Sequence, residues 1–224
     1  MTTDPDLLKR AFSDVLDIQE VLPIEGDAFL TFEYNGGGHD YLGEGAGHGL
    51  VRGANSTSTD AAFRYLNADG VHELALVEWK YTEQYLGSKL SADRKGVREK
   101  RYRGFWDDPA GPIEQDAVPY EGIFVEPLYQ LVRQQLLASR IETSQSDPAQ
   151  VVRVIHIAPA TNQEYWRSLD RHPRRLQGET VREVWERMLR PSRRDRFRSI
   201  DSARFTDPAR ALTSASYRAR YGHS

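Results

Sequence analysis

Two periodicities alternate along the chain. DPDLLKRAFSDVL, residues 4–16, sets Leu7, Leu8, Phe12, Val15 and Leu16 at helical spacing behind Asp4, a residue suited to capping, and predicts an amphipathic helix. AFLTFEY, residues 28–34, predicts a strand, and the glycine-rich NGGGHDYLGEGAGHG after it predicts a loop. DAAFRYL and VHELALVEWKY are β-rich runs joined by NADG, whose Asp69-Gly70 signals a hairpin. Residues 82–122 are charged and turn-rich, with some helix expected. VEPLYQLVRQQLLASRIE places Leu128, Leu131, Val132 and Leu136 on one stripe and is the strongest helix of the chain. QVVRVIHIAP predicts a buried strand ended by Pro159, and TVREVWERML a further helix.

The second and third strands carry charges that a buried sheet has no reason to keep. Side chains alternate along a strand, so Glu78 and Lys80 share a face and Trp79 takes the other. A hairpin turning near Ala68-Asp69 sets Asp60 opposite about Val77, within a residue of Glu78. Two carboxylates held that close repel unless a cation lies between them. Mg²⁺ suits such a pair, because it takes oxygen ligands and borrows phosphate oxygens from a substrate. Lys80 is placed to orient or deprotonate an attacking water, or to neutralise charge in the transition state. The plainer reading is a Glu78–Lys80 ion pair on an exposed edge strand. The apolar LALV before it and the bulk of Trp79 argue against an exposed edge, and a buried ion pair is a poor source of stability.

The order helix, strand, strand, strand, helix, strand, with Asp60 on the second strand and Glu78-Trp79-Lys80 on the third, resembles the PD-(D/E)XK nuclease superfamily. TSTDAAFRY, LALVEWKYTE and PLYQLVRQQLLA look most like a poorly characterised bacterial branch of it, over roughly residues 5–160. The resemblance implies an α/β, restriction-endonuclease-like αβββαβ core, in which a mixed central sheet is flanked by helices. It implies that Asp60 and Glu78 bind Mg²⁺, with Mn²⁺ as a substitute, and that Lys80 assists the water that cleaves a DNA phosphodiester. Thr59 stands where the motif has proline, which leaves the chemistry of Asp60 intact. Some members add an acid from the first helix or an upstream strand, for which Glu20 and Glu33 are the candidates. The RecB-like exonuclease branch carries a Gln followed four residues later by Tyr. Gln130 is followed by Gln134 instead, so endonuclease action is the expectation. The helix after the third strand packs beside the active site in this fold, which brings Gln130 and Arg133 within reach of a phosphate. The alternatives are a non-cleaving nucleic-acid-binding module of the same fold and an RNA-directed nuclease. Double-strand cutting by the fold implies two active sites, hence a homodimer.

Composition narrows the chemistry. With no cysteine, disulfides and thiolate catalysis are excluded, and a metal must sit on oxygen or imidazole. GEGAGHG lacks the Lys-Ser/Thr that closes a phosphate-cradling loop, and its glycines suit a flexible loop ahead of the site. His39, Asp40 and His48 match no zinc spacing, and His156 alternates with Val152 and Val154 as a core residue would. MTTDPDLLKR has no basic-then-apolar pattern, and no apolar run approaches membrane-spanning length, so a cytoplasmic location is expected.

Charge is divided unevenly. The total is −3, yet residues 167–224 hold 15 arginines, no lysine and 7 acids, a balance of +8 that leaves −11 for the remainder. Residues 161–224 therefore read as an arginine-rich, mainly helical extension to a core spanning residues 1–160. An acidic catalytic pocket needs cations nearby to hold a polyanion. Arg98, Arg101 and Arg103, soon after the catalytic strand, and Arg193, Arg194 and Arg196 in the extension are the expected backbone contacts.

Overall fold

The computed structural model describes residues 3–45, 50, 56–80, 95–171, 176, 178–210 and 212–213. In chain order these form helix α1 (Pro5–Phe12), strands β1 (Glu20–Leu22), β2 (Thr31–Tyr34), β3 (Thr59–Leu66) and β4 (His72–Trp79), then helices α2 (Lys95–Trp106) and α3 (Leu128–Ser144). Strand β5 (Val151–Ala158), helices α4 (Gln163–Trp166) and α5 (Val181–Met188), strand β6 (Phe197–Asp201) and helix α6 (Ala203–Thr206) follow.

The β3–β4 hairpin organises the rest. Asn67 Oδ1 accepts the N–H groups of Asp69 and Val71, and Gly70 adopts φ +75°, a left-handed conformation that glycine reaches without strain. The antiparallel ladder pairs Ala61 with Val77. One further step sets Asp60 across from Glu78, a residue beyond the alignment expected from the turn. β4 then pairs in parallel with β5, the connection running through α3, and β5 pairs in parallel with β6. The result is a mixed α/β sheet in the order β1-β3-β4-β5-β6, with β2 also on β3, consistent with the restriction-endonuclease-like fold.

Alternation along the strands builds two cores. Ala62, Leu74, Leu76, Val152 and Val154 face α3 and α5. Phe63, Tyr65, Ala75, Val77, Ile155 and Ile157 face α1 and α6. β4 and β5 are therefore covered on both sides, which is why each reads as a continuous apolar run. α1 is capped by Asp4, which accepts the Leu7 N–H at 2.9 Å, and it buries Leu8, Ala11 and Phe12. It stops at Phe12, short of the Val15 and Leu16 included in its expected stripe.

Three elements depart from expectation. β1 shares the outer edge of β3 with β2, and its three residues, Glu20-Val21-Leu22, carry no legible alternation. α2 occupies part of the region that gave no clear pattern, with charges scattered round it and Tyr102 and Trp106 buried. β6 is the third. It comes from the arginine-rich extension and closes the far edge of the sheet. Among the described residues no helix is long and apolar enough to cross a membrane.

Candidate active site

Asp60 and Glu78 meet because they occupy neighbouring places on the β3–β4 ladder. Asp60 Oδ2 accepts the N–H of Trp79 at 2.6 Å, which holds its carboxylate against the backbone between Glu78 and Lys80. Lys80 follows the last residue of β4, and its N–H continues the ladder to the Ile157 carbonyl at 2.7 Å. Its ammonium lies 2.5 Å from Glu78 Oε1. Both side chains are buried, Glu78 at 2% exposure and Lys80 at 6%.

α3 supplies the roof. Gln130 and Gln134 are one turn apart on the same face, and both donate to Glu78: Gln130 Nε2 to Oε1 at 2.6 Å, and Gln134 Nε2 to Oε2. Gln134 is fully buried and its own Oε1 has no hydrogen-bond partner. An orphaned carbonyl in the interior costs about 1–3 kcal/mol, so this amide is kept for what its nitrogen does to Glu78. Burial raises the Glu78 pKa to about 6, with the charge of Lys80 pulling it down and that of Asp60 pushing it up. A pair of carboxylates of this kind, with oxygen donors only, fits a hard divalent cation. Since three donors already hold Glu78, a cation would have to share or displace one of them.

Beside Glu78 on β5 stands His156. Its ring packs against Tyr165 and Trp166, and Nε2 lies 2.7 Å from the Tyr165 hydroxyl. Burial, aided by the charge of Lys80, pushes its pKa down to about 3, so it is a neutral core residue, as its alternation implied.

The other expected site residues disperse. Glu33, on β2 with φ +49°, accepts the Ser58 hydroxyl at 3.1 Å, two residues from Asp60, and faces solvent. Glu20 pairs with Leu66, six residues along β3 from Asp60, about 20 Å away at the rise of a strand. Arg98 and Arg133 converge, their guanidinium carbons 5.5 and 4.7 Å from the Tyr129 ring centre. Arg98 Nη1 and Arg133 Nε are buried without a hydrogen-bond partner, and Arg133 Nη1 reaches the Thr57 hydroxyl at 3.4 Å. Arg101 lies one turn from Arg98 on α2 and is half-buried. Arg103 is turned elsewhere, in an ion pair with Asp107 at 2.7 Å and 4.9 Å over the Tyr120 ring. Gln130, expected at the nucleic acid, is bound to Glu78.

Of the three arginines expected at the extension, Arg194 donates to the Leu189 carbonyl at 3.3 Å, and the other two are reassigned. Arg193 and Arg196 donate to Glu142 of α3, at 2.6 and 3.1 Å, and so lock the extension to the core. The glycine-rich segment is tied down in its described part. Asp40 accepts the N–H groups of Glu44 and Gly45, at 2.7 and 3.0 Å, and buried Glu44 accepts from Thr57 and Tyr102. Asp40 is thus a loop cap. His39 packs on Tyr41, while His48 lies outside the described residues.

Two residues near the cluster escaped the sequence reading. Gln134 had a signal in its four-residue offset from Gln130. Glu126, two residues before α3, had none. Its carboxylate accepts the Gln130 N–H at 3.3 Å, and burial raises its pKa against the opposing charges of Arg133, Lys80 and Arg98. Among the described residues no third acid or histidine joins Asp60 and Glu78 closely enough to complete a metal-binding trio.

A family model described as Restriction Endonuclease associating with ARP matches residues 1–222 of the chain. No curated protein and no solved structure matches it.

Proposed function

Because the chain belongs to the family of restriction endonucleases associating with ARP, we propose that Asp60, Glu78 and Lys80 form the centre of a divalent-metal-dependent nuclease of the PD-(D/E)XK type that hydrolyses DNA phosphodiesters. The observation that carries this reading is the convergence of the two carboxylates on adjacent strands, with Lys80 ion-paired to Glu78 on the same buried face.

Asp60 and Glu78 would hold Mg²⁺, or Mn²⁺ in its place, through their carboxylate oxygens. When bound, such an ion polarises the phosphoryl oxygen and makes water acidic enough to attack. Lys80 positions that water and offsets the charge that builds on the phosphorus oxygens, an effect strengthened by its burial. Gln130 and Gln134 fix the orientation of Glu78, so it needs little rearrangement on the reaction path. Arg98 and Arg133, with unmet donors over Tyr129, would take a phosphate neighbouring the scissile one. The association with ARP in the family's description is carried over as a proposed partnership, and a homodimer as the arrangement for cutting both strands.

One observation favours a second reading, a binding module that no longer cleaves. Lys80, Gln130 and Gln134 already occupy both oxygens of Glu78. Incubating the full chain with plasmid, linear duplex and single-stranded DNA, and with RNA, in Mg²⁺, Mn²⁺ or EDTA separates the two. Metal-dependent cleavage lost in Glu78→Ala and in Lys80→Ala supports the nuclease. Metal-independent binding without cleavage in any arm replaces it by the binding module.

A further inference from the structure

At the far edge of the sheet, two strands from Glu78, α5 and β6 enclose an open cleft of about 460 Å³ whose lining, among the described residues, carries Arg182, Arg187, Arg194, Arg198 and one acid, Glu186. We propose that this cleft is a second contact for the phosphodiester backbone of nucleic acid. The choice of ligand rests on the nuclease reading above, whereas the cleft itself does not depend on the catalytic cluster.

The extension uses its arginines in two ways. Arg193 and Arg196 are held by Glu142, Arg204 and Arg210 by Asp14, and Arg190 by the carbonyls of Pro109 and Ile113. These guanidiniums join elements of the fold. Those of the cleft do not. Among the described residues Arg194 donates only to the Leu189 carbonyl, at 3.3 Å, and Arg198 only to the Phe197 carbonyl, at 2.9 Å, with no carboxylate within ion-pair reach of either. A guanidinium offers five N–H donors, so each keeps a fork available for a bidentate acceptor. Arg182 and Arg187 pair with Glu186 and Glu179 at 2.8 and 3.0 Å, but these pairs are about half exposed. Exposed pairs contribute little, and phosphate can replace carboxylate in them at small cost.

Placement supports the same ligand. Glu78, His156 and Ser199 lie in one row across three strands, and Ser199 borders the cleft. Two strand spacings separate the ends of that row by roughly 10 Å, the axial length of about three phosphates of one DNA strand. The buried His156–Tyr165 pair stands between them, so the cleft does not share the catalytic pocket. A polyanion long enough to reach both would be held at two points, and the −11 of residues 1–166 leaves the +8 of residues 167–224 as its main source of attraction.

The test measures binding of a labelled duplex by fluorescence anisotropy, with the full chain in EDTA so that cleavage is off, over a series of salt concentrations. Arg194→Gln with Arg198→Gln should weaken binding about tenfold for unrelated sequences alike and lower the slope of log affinity against log salt by about 2. Arg182→Ser with Arg187→Ser, on the exposed face of α5, should act in the same direction and guards against a folding defect in the first pair. Affinity and slope unchanged in both double variants overturn the proposal. Equal competition by polyglutamate and by unlabelled oligonucleotide also overturns it, in favour of an acidic protein partner. Loss of cleavage in Glu78→Ala with these binding results intact leaves the cleft standing, and weakened binding in a chain that never cleaves removes only the nuclease reading.

Discussion

Asp60 Oδ2 accepts the main-chain N–H of Trp79 at 2.6 Å, so the acid of one strand reads the backbone between the acid and the lysine of the next. One hydrogen bond therefore ties the position of the first carboxylate to the register that delivers the second. Asp60→Asn keeps an acceptor for that N–H while removing the charge. It should leave thermal stability within about 1 kcal/mol and abolish metal-dependent cleavage. A variant that still cuts would take Asp60 out of the centre.

Glu78 gives a pH prediction with a defined sign. Its folded pKa, about 6, lies above the ordinary glutamate value of 4.5. The folded state thus binds more protons than the unfolded one between those values, and ionised Glu78 costs stability at neutral pH. Glu78→Gln has no proton to lose in this range, so its stability relative to the parent should rise by about 2 kcal/mol between pH 4.5 and pH 7, measured by urea unfolding in EDTA. Its absolute stability should still be lower, because Lys80 loses its counter-charge and an amide nitrogen faces the donors of α3. A difference between the two chains that does not change with pH would show that Glu78 does not titrate in this range.

His156 acts in the opposite sense. Its folded pKa, about 3, lies below the ordinary value of 6.5. The stability associated with its neutral form is complete above pH 6.5 and is lost as pH falls towards 3, at about 1.4 kcal/mol per pH unit. The parent should unfold in mild acid, and His156→Gln should flatten that dependence. Parallel acid-unfolding curves for the two chains would exclude His156 as the cause.

Gln134 donates to Glu78, so on the proposed nuclease mechanism it positions that carboxylate, and a pH profile tests the role. Gln134→Leu removes both the orphaned carbonyl and a donor to Glu78, so stability should change by less than about 1.5 kcal/mol. The ionised form of Glu78 loses support, and the acid limb of the cleavage rate should move to higher pH. A lower rate with an unmoved limb would reduce Gln134 to packing.

Glu142 holds the extension to α3 through Arg193 and Arg196 and also accepts the Val152 N–H at 3.0 Å. Glu142→Ala leaves two guanidiniums and an amide without their acceptor and should cost about 3 kcal/mol. Hydrogen exchange should quicken in β6 first, with duplex affinity unchanged at a temperature where the variant stays folded. Weakened affinity there would return these arginines to the nucleic acid.

Local pattern was enough for the centre of this molecule. The alternation of β3 and β4 and the Asn67–Gly70 turn brought Asp60 beside Glu78, because a hairpin's register follows from its turn and its two faces. The stripe of α3 and the apolar run of β5 were legible for the same reason. The ladder itself, one residue away from the expected alignment, needed the structure. So did β1 and β6: three residues show no period, and in β6 Arg198 and Ser199 interrupt the apolar positions of a strand that only Val154–Ala158 of β5 completes. The roles of individual polar side chains were the least legible. Gln130 and Gln134 lie 52 and 56 residues beyond Glu78, and Arg193 lies 51 beyond Glu142. An arginine or glutamine has the same local signature whether it meets a carboxylate, a ring or solvent, and packing between distant elements decides which of these it finds.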